Sequence, residues 1–154
     1  MSLLLGTELN AALKNFFEKR LNTVIIATID KDCRPHTAPF NYLTVYDSKH
    51  LRVVISKFHQ TYLNIVENVY VAVAVLDEGD LAVCIKGLAH VIKESMAVDC
   101  NLVIVEIEIL EIRKDNSTDF FVTQGVRIRH KNEPSLYYSR KIFQELTQFE
   151  TGNK

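Results

Sequence analysis

The chain has 154 residues, and its 18 Lys and Arg against 19 Asp and Glu give a formal net charge of −1. Hydrophobic residues make up 47% and charged residues 24%, which is normal for one folded soluble domain and excludes disorder. The near-neutral balance disfavours a nucleic-acid partner, because neutralising phosphates needs a surplus of cations. No apolar run is long enough to span a membrane, so we expect no membrane partner.

The cysteines and histidines predict no metal site. Cys33, Cys84 and Cys100 are an odd number without CxxC spacing, which favours neither a disulfide framework nor a zinc site. The five histidines show no HxH or HExxH spacing. The leucines at 3–5 lack the basic flank of a signal peptide. A reducing cytoplasm is therefore the simplest expected location.

The first half of the chain begins with a helical pattern and continues with strands. Residues 7–20 carry apolar side chains at helical spacing, which predicts an amphipathic helix capped by Thr7. The period then changes to two, and polar turns separate three predicted strands, 23–29, 34–46 and 50–56. Turns this short predict an antiparallel meander.

A second helix and three more strands follow. Tyr62 and Ile65 belong to an apolar set with helical spacing, which predicts a short helix over 58–67. Further strands are predicted over 69–76, 81–93 and 101–113. In the last of them, valines and isoleucines alternate with Glu106 and Glu108, as they do in a strand with one buried face.

The C-terminal region, 114–154, reads as a loop followed by a helix. Its loop, 114–133, is polar and contains the basic cluster Arg127, Arg129, His130 and Lys131. We interpret the cluster as part of a solvated loop, with contact to a ligand or a second subunit as the alternative. Pro134 suits the first turn of a final helix over 135–149.

Six antiparallel strands in a single domain over 1–154 predict a mainly β structure, a closed barrel with flanking helices. Closure is expected because it removes the exposed edges of the sheet.

Pro35 and Pro39 make the second strand unusual. Proline cannot donate to a strand ladder, so an edge or a bulge is expected there. Backbone groups that remain free could meet a planar ligand with a hydrogen-bonding rim. Taken alone, these residues favour the simpler interpretation, a kinked strand without a ligand.

Ser56 begins a second polar segment, where a strand leads into a helix. A helix N-terminus presents unpaired N–H groups that suit a phosphate. The side chains that can donate there are Ser56, Lys57, His59, Gln60 and Thr61. An ordinary capped helix is equally consistent with them. No GxSxG, GxGxxG or P-loop motif offers a competing catalytic site.

The ordered set of motifs resembles the FMN-binding split barrels, the superfamily of pyridoxamine 5′-phosphate oxidase. The resemblance runs from Gly6 to about Arg113. It is carried by Pro35-His36 in the second strand, by the run Thr-x-x-Asn-Ile-x-x-Asn over 61–68, and by Lys86-Gly87 in the fifth strand. Proteins related to the oxidase and small FMN-binding proteins are the most similar members.

The resemblance implies a six-stranded, Greek-key-like split barrel that binds FMN at a homodimer interface. The flavin ring would lie along Thr37, Ala38, Pro39, Phe40 and Asn41. The phosphate would meet Ser56, Lys57, Gln60 and Thr61, with Asn64 bracing the turn. Where the family often places Lys or Arg, this chain has Gln60, so Lys57 or His59 is expected to supply the charge.

Flavin chemistry agrees with the lack of an evident acid–base pair, because the cofactor carries the hydride or electrons. We therefore expect a cytoplasmic homodimeric flavoprotein that acts as an oxidoreductase or electron-transfer protein on a small redox substrate. One alternative is a split barrel that binds haem or a deazaflavin, and another is a non-catalytic flavin-binding module. Residues 114–154 do not match the oxidase's substrate-binding tail, so the substrate stays open.

Overall fold

Eight strands and three helices are formed by residues 2–152, the part of the chain that the computed structural model describes. In chain order they are β1 (Leu3–Gly6), α1 (Ala11–Glu18), β2 (Val24–Ile29), β3 (Pro35–Phe40), β4 (Leu43–Asp47), β5 (His50–Ser56), α2 (Gln60–Glu67), β6 (Tyr70–Asp77), β7 (Leu81–Lys93), β8 (Leu102–Lys114) and α3 (Glu133–Gln148).

The strands form one antiparallel sheet in the order β3-β2-β6-β7-β8-β5-β4, and β1 pairs with β8 beside this path. The two ends of the order, β3 and β4, are consecutive in the chain, with only Asn41 and Tyr42 between them. The sheet must therefore curl until its edges approach each other, as in a barrel left open along one seam. This confirms the mainly β split barrel. Strands β6-β7-β8-β5 lie in the order of a Greek key.

Two strand predictions were wrong. The predicted strand 34–46 is two strands, because β3 pairs with β2 whereas β4 pairs with β5 at the opposite end of the sheet. The first three predicted strands therefore form no meander. Leu3–Gly6 adds β1, whose three leucines are exposed and show no core-facing alternation. Residues 2–152 thus contain eight strands instead of the six expected.

The helices agree with the predicted pattern, although α1 begins later than expected. Asn10, not Thr7, caps α1, and its Oδ1 accepts a hydrogen bond from the Leu13 backbone N–H at 3.0 Å. Leu9, just before this cap, bonds outside the helix: its N–H donates to the Ser48 carbonyl at 2.8 Å. At α3 the cap is Asn132, and Pro134 lies in the first turn as predicted.

Two apolar clusters lie on opposite sides of β5 and β8. Leu51, Val53 and Ile55 point into the barrel with alternate residues of the other strands, and apolar side chains of α1 and α2 pack into the same cluster. Val54 and Ile104 point outward and pack against α3. These central strands are therefore buried on both faces. No helix within residues 2–152 is long and apolar enough to cross a membrane.

Gly87, in the quoted Lys86-Gly87 pair, lies where the β7–β8 register shifts. A Cβ atom at this position would stand 2.5 Å from the Glu108 carbonyl oxygen and 2.6 Å from Ile107 Cγ2. Any larger residue would push the two strands apart, so glycine is required for this bulge.

Candidate functional site

The free edge of β3 is set by backbone alternation. The Asp30 N–H donates to the Arg34 carbonyl at 3.0 Å, so Arg34 directs its peptide groups toward β2. Alternation then directs residues 36, 38 and 40 toward β2 and residues 35, 37 and 39 toward the open edge. Because Pro35 and Pro39 have no N–H, the outward edge offers several carbonyls and only the Thr37 N–H as donor.

The five residues predicted to contact the flavin ring divide between the two faces of β3. Ala38 and Phe40 are buried in the barrel core, with their peptide groups facing β2. Thr37 and Pro39 are exposed on the other face. Asn41 follows the strand, and its Oδ1 accepts from the Thr23 hydroxyl at 2.8 Å. The structure therefore places Thr37, Pro39 and Asn41 at the surface. The side chains of Ala38 and Phe40 lie in the core and cannot contact a ligand on the outer face of β3.

The entrance of α2 lies beside β3. His59 caps the helix, and its Nδ1 accepts from the Thr61 N–H at 3.1 Å. Its ring centroid is 5.2 Å from that of Phe40 and 6.4 Å from that of His36. The predicted ring strand and the predicted phosphate turn are thus adjacent in space, although residues 42–55 separate them in the sequence.

His59 is not the source of positive charge at this entrance. Its partial burial, together with the neighbouring His36 ring, holds the pKa of His59 below its ordinary value of 6.5. Because Nδ1 accepts a backbone hydrogen bond, the ring is neutral near pH 7. Lys57 is half-buried and has no carboxylate partner within 4.0 Å among residues 2–152. The charge for a phosphate would therefore come from Lys57.

Gln60 and Asn64 are joined by a hydrogen bond, and Asn64 connects α2 to β2. Gln60 Nε2 donates to Asn64 Oδ1 at 2.8 Å, and Asn64 Nδ2 donates to the buried Thr28 hydroxyl at 2.9 Å. Asn64 is buried, whereas Gln60 is exposed on its outer side. This chain of hydrogen bonds attaches α2 to β2.

Two buried polar atoms at the site have no protein partner. They are His36 Nε2 and the hydroxyl of Thr61, which is 0% exposed. Across residues 2–152 only four buried side-chain polar atoms lack a partner, so half of them lie here. Ser56 is less enclosed, and its Oγ accepts from the Phe58 N–H at 3.2 Å while its own proton stays available. Leaving a buried polar group unpaired costs free energy, so each of these two atoms needs a partner such as a ligand or an ordered water.

His36 and Thr28 were missed as site residues by the sequence prediction, whereas His59 was named as a possible donor and source of charge. His36 belongs to the quoted Pro35-His36 pair, and this position was the available signal. Thr28 lies in an apolar strand, and only the contact with Asn64 shows its role. No group of three or more His, Cys, Asp or Glu side chains that could hold a metal ion is present in residues 2–152.

The architecture is that of an antiparallel split barrel with an open strand edge beside a helix N-terminus. Residues 9–114 match the family model described as pyridoxamine 5′-phosphate oxidase. Since this match covers more than half of the sequence, the chain belongs to the pyridoxamine 5′-phosphate oxidase family.

Solved structures agree with this assignment. A candidate pyridoxamine 5′-phosphate oxidase from Lactobacillus delbrueckii is 27% identical, with a TM-score of 0.63 over 73% of this chain and 98% of that chain. An F420 reductase is 20% identical, with a TM-score of 0.57 over 70% and 100% of the two chains. HutZ, the haem storage protein from Vibrio cholerae, is 14% identical, with a TM-score of 0.52 over 68% and 92%. The last two similarities show the fold alone. No curated protein is similar enough to count as a relative.

Proposed function

We propose that the protein is an FMN-binding flavoprotein that acts as an oxidoreductase or electron-transfer protein. The observation that carries the proposal is the juxtaposition of the open β3 edge with the α2 entrance. The edge presents the carbonyls of residues 35, 37 and 39 and the Thr37 N–H, which match the acceptors and donors on the rim of an isoalloxazine ring. Family membership supports the same ligand.

The α2 entrance would hold the phosphate. Lys57 supplies a cation without a carboxylate partner among residues 2–152, and Ser56 supplies a hydroxyl proton. Thr61 is a third donor, and its buried hydroxyl becomes accessible only if the covering side chains shift. Gln60 and Asn64 would position the turn through their mutual hydrogen bond. These residues fit a phosphate monoester.

FMN, when bound, supplies hydride or single-electron transfer. The residues of this chain would orient the ring along Thr37, Pro39 and Asn41, while Ala38 and Phe40 support that strand from the core. Asn41 would contribute through its side-chain amide, which is already oriented by Thr23. A small-molecule redox substrate would meet the exposed side of the ring.

A second copy of the chain would complete the site as a homodimer. Phe58, Leu63, Val66 and Tyr70 follow one another from the α2 entrance into β6, and each is at least half exposed. Apolar side chains of this size beside a ligand site are typical of a surface that another subunit covers. A two-fold arrangement would place the same patch on both partners.

Titration of the purified protein with FMN, followed by flavin fluorescence, tests the proposal. Lys57→Gln should weaken FMN binding about tenfold or more, because a charge-assisted hydrogen bond contributes roughly 1.5–3 kcal/mol. Riboflavin, which lacks the phosphate, should bind the variant and the wild type equally. Lys14→Gln is the matched control, because Lys14 is also half-buried and lies on α1.

Equal FMN affinity of Lys57→Gln and the wild type would reject the phosphate assignment. Absence of FMN binding together with a Soret band after addition of haem would reject FMN in favour of the haem alternative. Absence of FMN binding together with binding of a deazaflavin would favour the deazaflavin alternative. Reduction of bound FMN by NAD(P)H separates an enzyme from a non-catalytic flavin-binding module. Light scattering of the FMN complex at the mass of one chain would reject the homodimer.

A further inference from the structure

A cavity of about 330 Å³ lies between the end of β3, the C-terminal end of α1, the loop before α3 and the first turns of α3. Four of its lining residues are basic or imidazole side chains, Arg20, Arg129, His130 and Lys131, and none is Asp or Glu. A second cavity of about 430 Å³ adjoins it, shares Arg20 and His130, and also has no carboxylate in its lining. We refer to the two together as the basic cleft.

The cations of the basic cleft have no counter-ions. Among residues 2–152, no carboxylate lies within 4.0 Å of Arg20, Arg129 or Lys131. Some cations elsewhere are paired, as Lys86 is with Glu111 at 2.8 Å and Lys93 with Glu145 at 2.8 Å. The whole chain carries more acidic than basic residues, 19 against 18, so a carboxylate-free cleft does not reflect an overall excess of positive charge.

The loop that contributes Arg129 and Lys131 is anchored although it contains no helix or strand. The Val122 N–H donates to Asp80 Oδ1 at 3.0 Å, and Asn116 Nδ2 donates to the Asp80 carbonyl at 2.5 Å. Gly125 packs so closely on the Leu76 carbonyl that a Cβ would clash with it. The basic residues of the loop are thus carried on a segment fixed to the β6–β7 turn.

On the opposite wall of the cleft, contacts with neighbouring side chains also fix the position of Arg20. The Arg20 guanidinium lies 4.4 Å from the centroid of the Phe143 ring, which orients it by a cation–π contact. Tyr42 and Ser139 share a hydrogen bond of 2.9 Å between their hydroxyl oxygens. Leu21 and Ile128 add apolar surface. The basic cleft therefore combines unpaired cations with an aromatic and aliphatic wall.

We propose that the basic cleft binds a small organic anion. Arg20, Arg129 and Lys131 would hold its phosphate or carboxylate group, and the apolar part would lie against Phe143 and its neighbours. Cations that converge without carboxylates have a high local potential and attract anions to the site. This site is separate from the phosphate turn at α2, and it adjoins the proposed ring site at Asn41, which lines the cleft.

Phenyl phosphate is a suitable probe, because it joins an oxyanion to one aromatic ring. Titration of the ¹⁵N-labelled protein at low ionic strength should shift the amide resonances of residues 20–21, 41–42 and 128–131. Benzoate tests whether a carboxylate is accepted in place of the phosphate. Phenol is the neutral control and should cause much smaller shifts, and added salt should weaken phenyl phosphate binding because exposed cations are screened.

Arg129→Gln should weaken phenyl phosphate binding about tenfold, the effect of losing one charge-assisted hydrogen bond. Lys31→Gln, a change at an exposed lysine in the β2–β3 turn, should leave the dissociation constant unchanged. Retention of the wild-type spectrum away from the cleft shows that each variant is folded. The proposal is overturned if Arg129→Gln binds as tightly as the wild type, if the shifts fall outside the cleft, or if phenol binds as well as phenyl phosphate.

Discussion

Asn64 of α2 and Glu145 of α3 each attach their helix to a neighbouring segment, but the two attachments differ in charge. At α2, the buried Asn64 amide donates to Thr28 and accepts from Gln60, and all three groups are neutral. At α3, the Glu145 carboxylate accepts from Lys93 Nζ at 2.8 Å and from the backbone N–H groups of Ala97 and Val98 at 2.6 and 3.0 Å.

The difference predicts different responses to pH. Burial opposes ionisation of Glu145, but the hydrogen bonds from Lys93, Ala97 and Val98 outweigh it and hold the pKa of this carboxyl below its ordinary value of 4.5. The α3 attachment thus depends on ionisation, whereas the Asn64 attachment does not. The two helices are therefore expected to differ in how strongly acid weakens their attachment.

Asn64→Leu should have the largest effect. It leaves the buried Thr28 hydroxyl without a partner, so the free energy of unfolding should fall by about 2–4 kcal/mol in urea denaturation. The loss should be the same at neutral and at mildly acidic pH. Gln60→Leu keeps the Asn64–Thr28 bond and should cost less. Equal losses for the two variants would show that the Thr28 contact does not stabilise α2.

Glu145→Gln should lower the free energy of unfolding by about 2 kcal/mol at neutral pH, because the hydrogen bonds lost or weakened are charge-assisted. The contribution of this carboxylate is complete above its ordinary pKa and is lost as the pH falls below it. Wild type and variant should therefore converge in acid. Glu150→Gln, an exposed neighbour, is the control. A stability difference that stays constant with pH would contradict this account.

Asn132→Ala should cost about 1 kcal/mol, the usual effect of losing an N-cap. Asn132 Oδ1 accepts from the Ser135 N–H at 2.8 Å at the far end of α3 from Glu145. Asn132→Ser keeps a capping oxygen and should cost only a few tenths of a kcal/mol. Thermal unfolding of both variants measures the difference, and a large loss for Asn132→Ser would show that the side chain does more than cap the helix.

His59→Asn should have the smallest effect and should change only the pH dependence. Because the pKa of His59 is lowered in the folded state, the unfolded chain binds a proton more readily. Stability is therefore complete above about 6.5 and falls as the pH drops below that value. Asn keeps the cap but does not titrate, so its stability profile should be flatter in this range. A profile as steep as that of the wild type would assign the slope to another group.

The regular elements could be predicted because their periodicity is local. β7 spans 81–93 as predicted, and β8 differs from its prediction by one residue at each end. The split of 34–46 could not be seen, because the two halves have the same strand period and differ only in their partners, β2 and β5. Such pairing depends on how the barrel closes, which a local pattern does not contain.

The candidate site was predictable as a set of segments but not as a set of contacts. The motifs predicted that the two segments 37–41 and 56–64 form the site. The burial of Ala38 and Phe40 follows from the strand register, since one residue of slip exchanges the two faces. Asn64 bonds to Thr28, which is 36 residues away, and no spacing rule indicates that pair. The basic cluster at Arg127, Arg129, His130 and Lys131 was interpreted as part of a solvated loop, with ligand or subunit contact as the alternative. The sequence could not show the cleft, because Arg20 approaches it from a distant part of the chain.

The prolines of β3 also affect how separate molecules meet. An open strand edge is a template on which another chain can add a strand, the first step of many aggregation reactions. On β3, Pro35 and Pro39 remove alternate outward donors, so an incoming strand would find only the Thr37 N–H between them. The two prolines thereby keep an open edge of the barrel from pairing with an extended polypeptide.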